Sequence, residues 1–176
     1  MSVNEELQEH AEHAHDSFSR RAGASMAIIA AALAVVSVWG HVMVTEELVT
    51  QMKASDQWAF YQAKSQRRYQ SEVAQDLLRG MGGEAAAKSV ETYKANKERY
   101  AKEGEAIKEH AEEFEKESHL SGKRAMRLHL GEIFLEIAIV LSSLAILTRR
   151  ALYWYVGIAS SVLGAVLGAS VLLIQH

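Results

Sequence analysis

The sequence predicts an all-α membrane protein: three transmembrane helices, with a long extramembrane antiparallel coiled-coil hairpin between the first and second. Three observations carry this expectation. The 176 residues include no proline, whereas average usage of ~5% would place roughly nine in such a chain. Residues 22–44 and 151–174 contain no Asp, Glu, Lys or Arg, and residues 133–147 contain only Glu136. Residues 45–130, in contrast, carry 15 basic and 15 acidic side chains. The mean hydropathy of -0.07 is therefore a sum of unlike parts. The lack of cysteine excludes a disulfide scaffold and a thiolate zinc site.

Residues 1–21 form a His/Glu-rich amino-terminal segment, acidic apart from Arg20 and Arg21. His10, His13 and His15 make it the most metal-like stretch, since His10 and His13 at i,i+3 share a helix face. No HExxH motif is present and no cofactor is expected. The alternative use of these imidazoles is a solvated helix that titrates near neutral pH.

Residues 22–44 follow as the first span. At ~1.5 Å per residue this segment is ~35 Å long, enough for a hydrocarbon core of ~30 Å. It is too long for the apolar core of a signal peptide and its flank is acidic, so an uncleaved anchor is expected. Residues 131–148 form the second, shorter span and residues 151–174 the third. Arg20-Arg21 before the first span and Arg149-Arg150 between the last two fall on one side of a three-span protein. The preference of basic flanks for the cytoplasm puts the amino terminus inside, and the hairpin and carboxyl terminus outside, a bacterial inner membrane.

The intervening residues 45–130 read as two helical arms. No glycine interrupts residues 45–79, whereas Gly80-Met81-Gly82-Gly83 is a cluster that helix interiors disfavour, and it marks the tip. Tyr93, Tyr100, Ile107 and Phe114 recur every seven residues as a thin coiled-coil seam, with Val90 and Ala111 fitting between them and Lys97 and Gly104 misfitting. Trp58, Tyr61, Tyr69 and Val73 form a looser stripe on the first arm. If residues 80–83 are the tip, Glu117-Ser118 returns to the level of Thr45. Residues 119–130 are then left over. Ser121-Gly122 predicts a kink near 122, followed by an amphipathic piece along the membrane, with Lys123, Arg124 and Arg127 opposite Leu120, Met126, Leu128 and Leu130.

Four ionisable residues lie at membrane depth. Glu132 and Glu136, one turn apart, share a face near the outer end of the second span, and His41 and His129 lie at similar depth. A contact of His41 with Glu132 or Glu136 is expected, as an interhelical polar clamp or as an ion or proton site. In the third span Gly157, Ser161, Gly164 and Gly168 form a small-residue face for close helix packing.

The stretches NEELQEHAEHAHD, KASDQWAFYQAKSQR and IAIVLSSLAILTRRALYWYVG resemble a bacterial membrane-protein family known as domain of unknown function 4337, over essentially the whole chain. The resemblance implies three spans with a long helical insertion after the first. It brings no catalytic residue, cofactor or substrate. Phe60 stands where the family pattern has Tyr beside Tyr61. The functional expectation is an integral membrane protein of unknown activity that acts as a homo-oligomeric coiled-coil scaffold or interaction protein. Its partners are the lipid bilayer, further copies of itself that use the hairpin's Tyr and Phe side chains, and a protein engaged by the hairpin, while the small face of the third span serves either span one of the same chain or another subunit. The alternative is a small ion or proton channel or transporter subunit using the intramembrane Glu and His. No enzyme motif is present, and the neutral hairpin and acidic amino terminus disfavour nucleic acid.

Overall fold

The computed structural model describes residues 3–174, with side chains from residue 17 onward. Among these residues the chain is helical almost throughout. Helix α1 runs Val3–Met81, α2 runs Glu84–Thr148 and α3 runs Ala151–Ala169, ending in a 3-10 turn at Ser170–Leu173. Each of the three is long and apolar enough to cross a membrane. Gly82 and Gly83 take φ of 69° and 92°, the left-handed region open to glycine, and they alone separate α1 from α2. The expected tip is thus narrower than 80–83, because Gly80 and Met81 stay helical. The other connection is Arg149-Arg150, where Arg149 adopts φ of 55° as the left-handed residue that closes α2.

The chain divides into two compact units, residues 46–120 and residues 1–45 with 121–176. In the first, the arms lie antiparallel. As α1 advances from Glu47 to Glu72, its partners on α2 retreat from Ser118 to Lys97. Ser118 Oγ donates to the Glu47 carbonyl at 3.1 Å, Lys53 lies over the Phe114 ring, Lys64 Nζ meets Glu103 Oε2 at 2.5 Å and Lys97 Nζ meets Glu72 Oε1 at 2.6 Å.

The two misfits of the heptad are where the arms fit together. Lys97 supplies the cross-arm ion pair. Gly104 is buried beside the Tyr61 ring, which would stand in ordinary van der Waals contact, 3.8 Å, from a Cβ there. On α1 the packing face is Thr50, Ala54, Trp58, Tyr61, Lys64, Ser71 and Gln75, so the expected stripe holds at Trp58 and Tyr61 and fails beyond them. Tyr69 and Val73 point outward at 65% and 41% exposure, a correction to the looser stripe of the first arm. With so little apolar area buried, this unit relies on ion pairs and cation–π contacts along its flanks.

The second unit packs α1, α2 and α3 around Ile29, Leu135 and Ala138, with Leu33, Val36, Ile139 and Ile158 against them. Trp154 Nε1 donates to Ser25 Oγ at 2.9 Å, and Phe18 meets the Trp154 ring edge-on. The kink predicted near residue 122 is not formed. Helix α2 runs unbroken through Ser121-Gly122, and the buried positions of α2 step by three or four residues through Ser118, Ser121, Ala125 and Leu128 on to Leu135, Ala138, Ser142 and Ala145. Ser121 is a small packing residue on that stripe, so burial of its face outweighs the weak helix propensity of Ser-Gly. Nor do residues 119–130 segregate as an amphipathic surface piece. Leu128 is fully buried, while Arg124 and Arg127 reach the end of α3, donating to the Ile174 carbonyl at 2.9 Å and to Ser170 Oγ at 3.2 Å.

Helices α2 and α3 approach to backbone contact. A Cβ at Gly164 would lie 2.7 Å from the Gly131 carbonyl oxygen, and one at Gly131 would lie 2.9 Å from that of Gly164. A Gly164→Ala substitution should therefore force the helices apart and lower stability in detergent micelles by about 1–3 kcal/mol. Gly23→Ala, with open space around the new methyl, should leave the denaturation midpoint nearly unmoved.

The hairpin yields a pH prediction. The hydrogen bond and positive charge of Lys97 hold the Glu72 carboxyl below the usual carboxylate range, and the hydrogen bond from Lys64 does the same for Glu103. A depressed carboxylate binds fewer protons folded than unfolded, so its contribution is complete at neutral pH and lost as pH falls below ~4. The difference in thermal midpoint between wild type and Lys97→Met should therefore shrink towards zero between pH 7 and pH 3.

Candidate functional site: polar residues among apolar helices

The polar residues of α2 are sorted by the register of its neighbours. His129 Nδ1 lies 3.1 Å from Glu132 Oε2, across one helical turn. The Glu132 side chain is only 19% exposed, and the Ser37 hydroxyl of α1 faces it. Gly40 of α1, packed against the Leu128 side chain, brings Ser37 to this level. His41 itself is exposed. The expected pairing of His41 with a glutamate is thus replaced by a pairing of His129 and Ser37 with Glu132.

Glu136 leaves this group altogether. One turn along α2 from Glu132, it faces outward and has no hydrogen-bond or ion-pair partner among the described residues. Its depth also differs from expectation. The neighbouring Leu135 and Ala138 pack on Gly164 and Gly157, two residues that bracket the middle of the 151–174 segment. Glu136 therefore lies level with the middle of the third apolar helix rather than near its outer end. The 131–148 span taken alone cannot reveal this, because depth is set by the register against α3.

The small face of α3 packs within the chain. Gly157, Gly164 and Gly168 are buried against α2 and, for Gly168, against Val36 of α1. Ser161 donates back to the Ile158 carbonyl of its own helix, whereas Ser160 makes the interhelical bond, donating to the Phe134 carbonyl at 2.7 Å. Gly131, Ser160 and the fully buried Ser142 belong to this contact and escaped the sequence reading. The GxxxG spacing singles out one partner, but its complement on α2 is a lone glycine. Ser142 Oγ has no hydrogen-bond partner among the described residues.

Of the heptad residues, Tyr100, Ile107 and Phe114 are half-buried, with Lys64 and Arg99 flanking the Tyr100 ring and Lys53 over Phe114, whereas Tyr93 is exposed at 37%. Beside Trp58 a cleft of about 360 Å³ is lined by Glu47, Gln51, Glu115 and His119. The side chains of His10, His13 and His15 lie outside the described residues. Among the described residues no three His, Asp or Glu side chains converge as a metal-ligand set.

These features define a class: helical proteins with three helices long and apolar enough to span a membrane, two of them extended into a charged antiparallel hairpin. The chain belongs to the family described as Domain of unknown function (DUF4337), whose pattern matches residues 18–174. No curated protein and no solved structure matches it.

The geometry predicts which polar pairs are coupled. In a double-mutant cycle in micelles, His129→Ala and Glu132→Gln should be non-additive by about 0.2–0.5 kcal/mol, the scale of an i,i+3 pair on one helix. His129→Ala and Glu136→Gln should be additive.

Proposed function

We propose that this chain is an integral membrane protein that crosses the bilayer three times, assembles with copies of itself and presents its hairpin as an interaction arm. The observation that carries the reading is the outward face of the unit formed by residues 1–45 and 121–176. Ile28, Val35, Val140, Val166 and Leu172 are each more than 60% exposed there. In water such a surface would drive aggregation, whereas in hydrocarbon it is the ordinary outer face of a helix bundle. Residues 22–44, 131–148 and 151–174 are the spans in this reading, with the amino terminus cytoplasmic and residues 46–120 outside, as the basic pairs flanking the spans favour. The hairpin offers a scaffold surface, since Phe60, Tyr69 and Leu77 project outward from its first arm at 59%, 65% and 66% exposure. No catalytic role is assigned, because no set of nucleophile, base and oxyanion donor occurs in the sequence.

A second reading, a conducting assembly for protons or small cations, is favoured by Glu136 alone. An ionisable side chain near the bilayer centre costs ~2.5–3.5 kcal/mol, and such residues mark ion pathways more often than structural sites.

The native chain has no cysteine, so introduced thiols report without background. Gln66→Cys should react with a membrane-impermeant maleimide in intact spheroplasts, and Ser17→Cys only after lysis; the reverse pattern would invert the topology. Chemical cross-linking in native membranes should yield oligomers, and a purely monomeric product would refute self-assembly. Proton or cation flux into liposomes that is equal for wild type and Glu136→Gln would eliminate the conducting reading.

A further inference from the structure

We infer that a second copy of this chain packs on the outward face of α2, along His129, Ile133, Glu136, Val140, Ser143 and Leu147. The inference rests on the membrane reading above and specifies how the copies meet. These six residues follow one another at intervals of four, three, four, three and four, the 3.5-residue repeat of a helix-packing seam. They lie apart from the inner stripe of Leu135, Ala138, Ser142 and Ala145 that faces the chain's own bundle. Ile133, Val140 and Leu147 are 49%, 66% and 82% exposed, and Glu136 and Ser143 are exposed as well. One heptad position therefore carries only aliphatic residues and the other only polar ones.

This alternation identifies the occupant. Lipid tails offer nothing to a carboxyl or a hydroxyl, and neither Glu136 nor Ser143 has a partner within the described chain. A covering helix must present hydrogen-bonding groups at the same two depths, spaced seven residues apart. A second copy related by an axis along the bilayer normal does so without further requirement, because symmetry sets each residue beside its own counterpart. Glu136 then meets Glu136 of the other copy in a carboxyl–carboxyl hydrogen bond, and Ser143 meets Ser143. His129, with 44% of its side chain exposed beyond its contact to Glu132, forms the third layer. From His129 to Ser143 the polar layers extend over ~21 Å at ~1.5 Å per residue. Polar groups at single heptad positions fix the register and number of helices in such seams, so Glu136 acts here as the registering residue between copies.

The test uses single cysteines in the full-length chain, oxidised in native membranes. Ile133→Cys, Val140→Cys and Leu147→Cys should form disulfide-linked dimers in high yield. Ile28→Cys and Val35→Cys on α1, and Val162→Cys and Val166→Cys on α3, should not. In the Val140→Cys background, Glu136→Gln should keep the yield and Glu136→Leu should lower the dimer fraction roughly threefold, the scale of one interhelical hydrogen bond in a bilayer. Cross-links confined to α1 or α3 would overturn this interface while leaving self-assembly intact. Monomer at every position would overturn both. Cross-linking at the seam that ignores Glu136→Leu would overturn the polar layer.

Discussion

How closely α3 can lie against α2 decides much else in the bundle. At Gly131, Gly164 and Gly168 the two backbones touch without intervening side chains. This contact sets the register from which other placements follow: Ser160 beneath the Phe134 carbonyl, Arg127 at Ser170 and Arg124 at Ile174. Small residues that give dispersion contact and leave backbones near one another are the means by which helices associate where no hydrophobic drive operates.

The hairpin uses a different economy. Its arms are closed by Lys64, Lys97 and their glutamates, by cations over Tyr100 and Phe114, and by the packing of Tyr61 beside Gly104. Exposed ion pairs are individually weak. They run along a seam whose buried residues are small or polar: Thr50, Ala54, Ser71, Gln75, Ala111 and Ser118. The two units thus share helices yet follow opposite rules of packing, one dominated by small apolar contacts and the other by charge.

Much of this was legible in the residues. Missing proline, uncharged runs and the Gly82-Gly83 break define the helices, because backbone propensity and composition are local properties. The arm count was legible too, since Glu47 does pair with Ser118 close to the level that simple rise per residue predicts. Ser121-Gly122 misled because helix propensity is a weak preference that a continuous packing stripe overrides. Glu132 and Glu136 misled for another reason. Their spacing on one helix says that they are neighbours, but the packing of α1 against α2 decides which of the two is enclosed. Lys97 and Gly104 looked like flaws in a heptad because the complementary residues, Glu72 and Tyr61, lie 25 and 43 positions away in sequence.

The polarity of the hairpin seam has a kinetic consequence. Separating two helices costs chiefly the apolar surface returned to water, and between Tyr61 and the Gly82-Gly83 turn the arms return little. That distal stretch is suited to frequent opening and reclosing, with each arm keeping its own helical hydrogen bonds while apart. Such local opening draws on the low end of a protein's stability range.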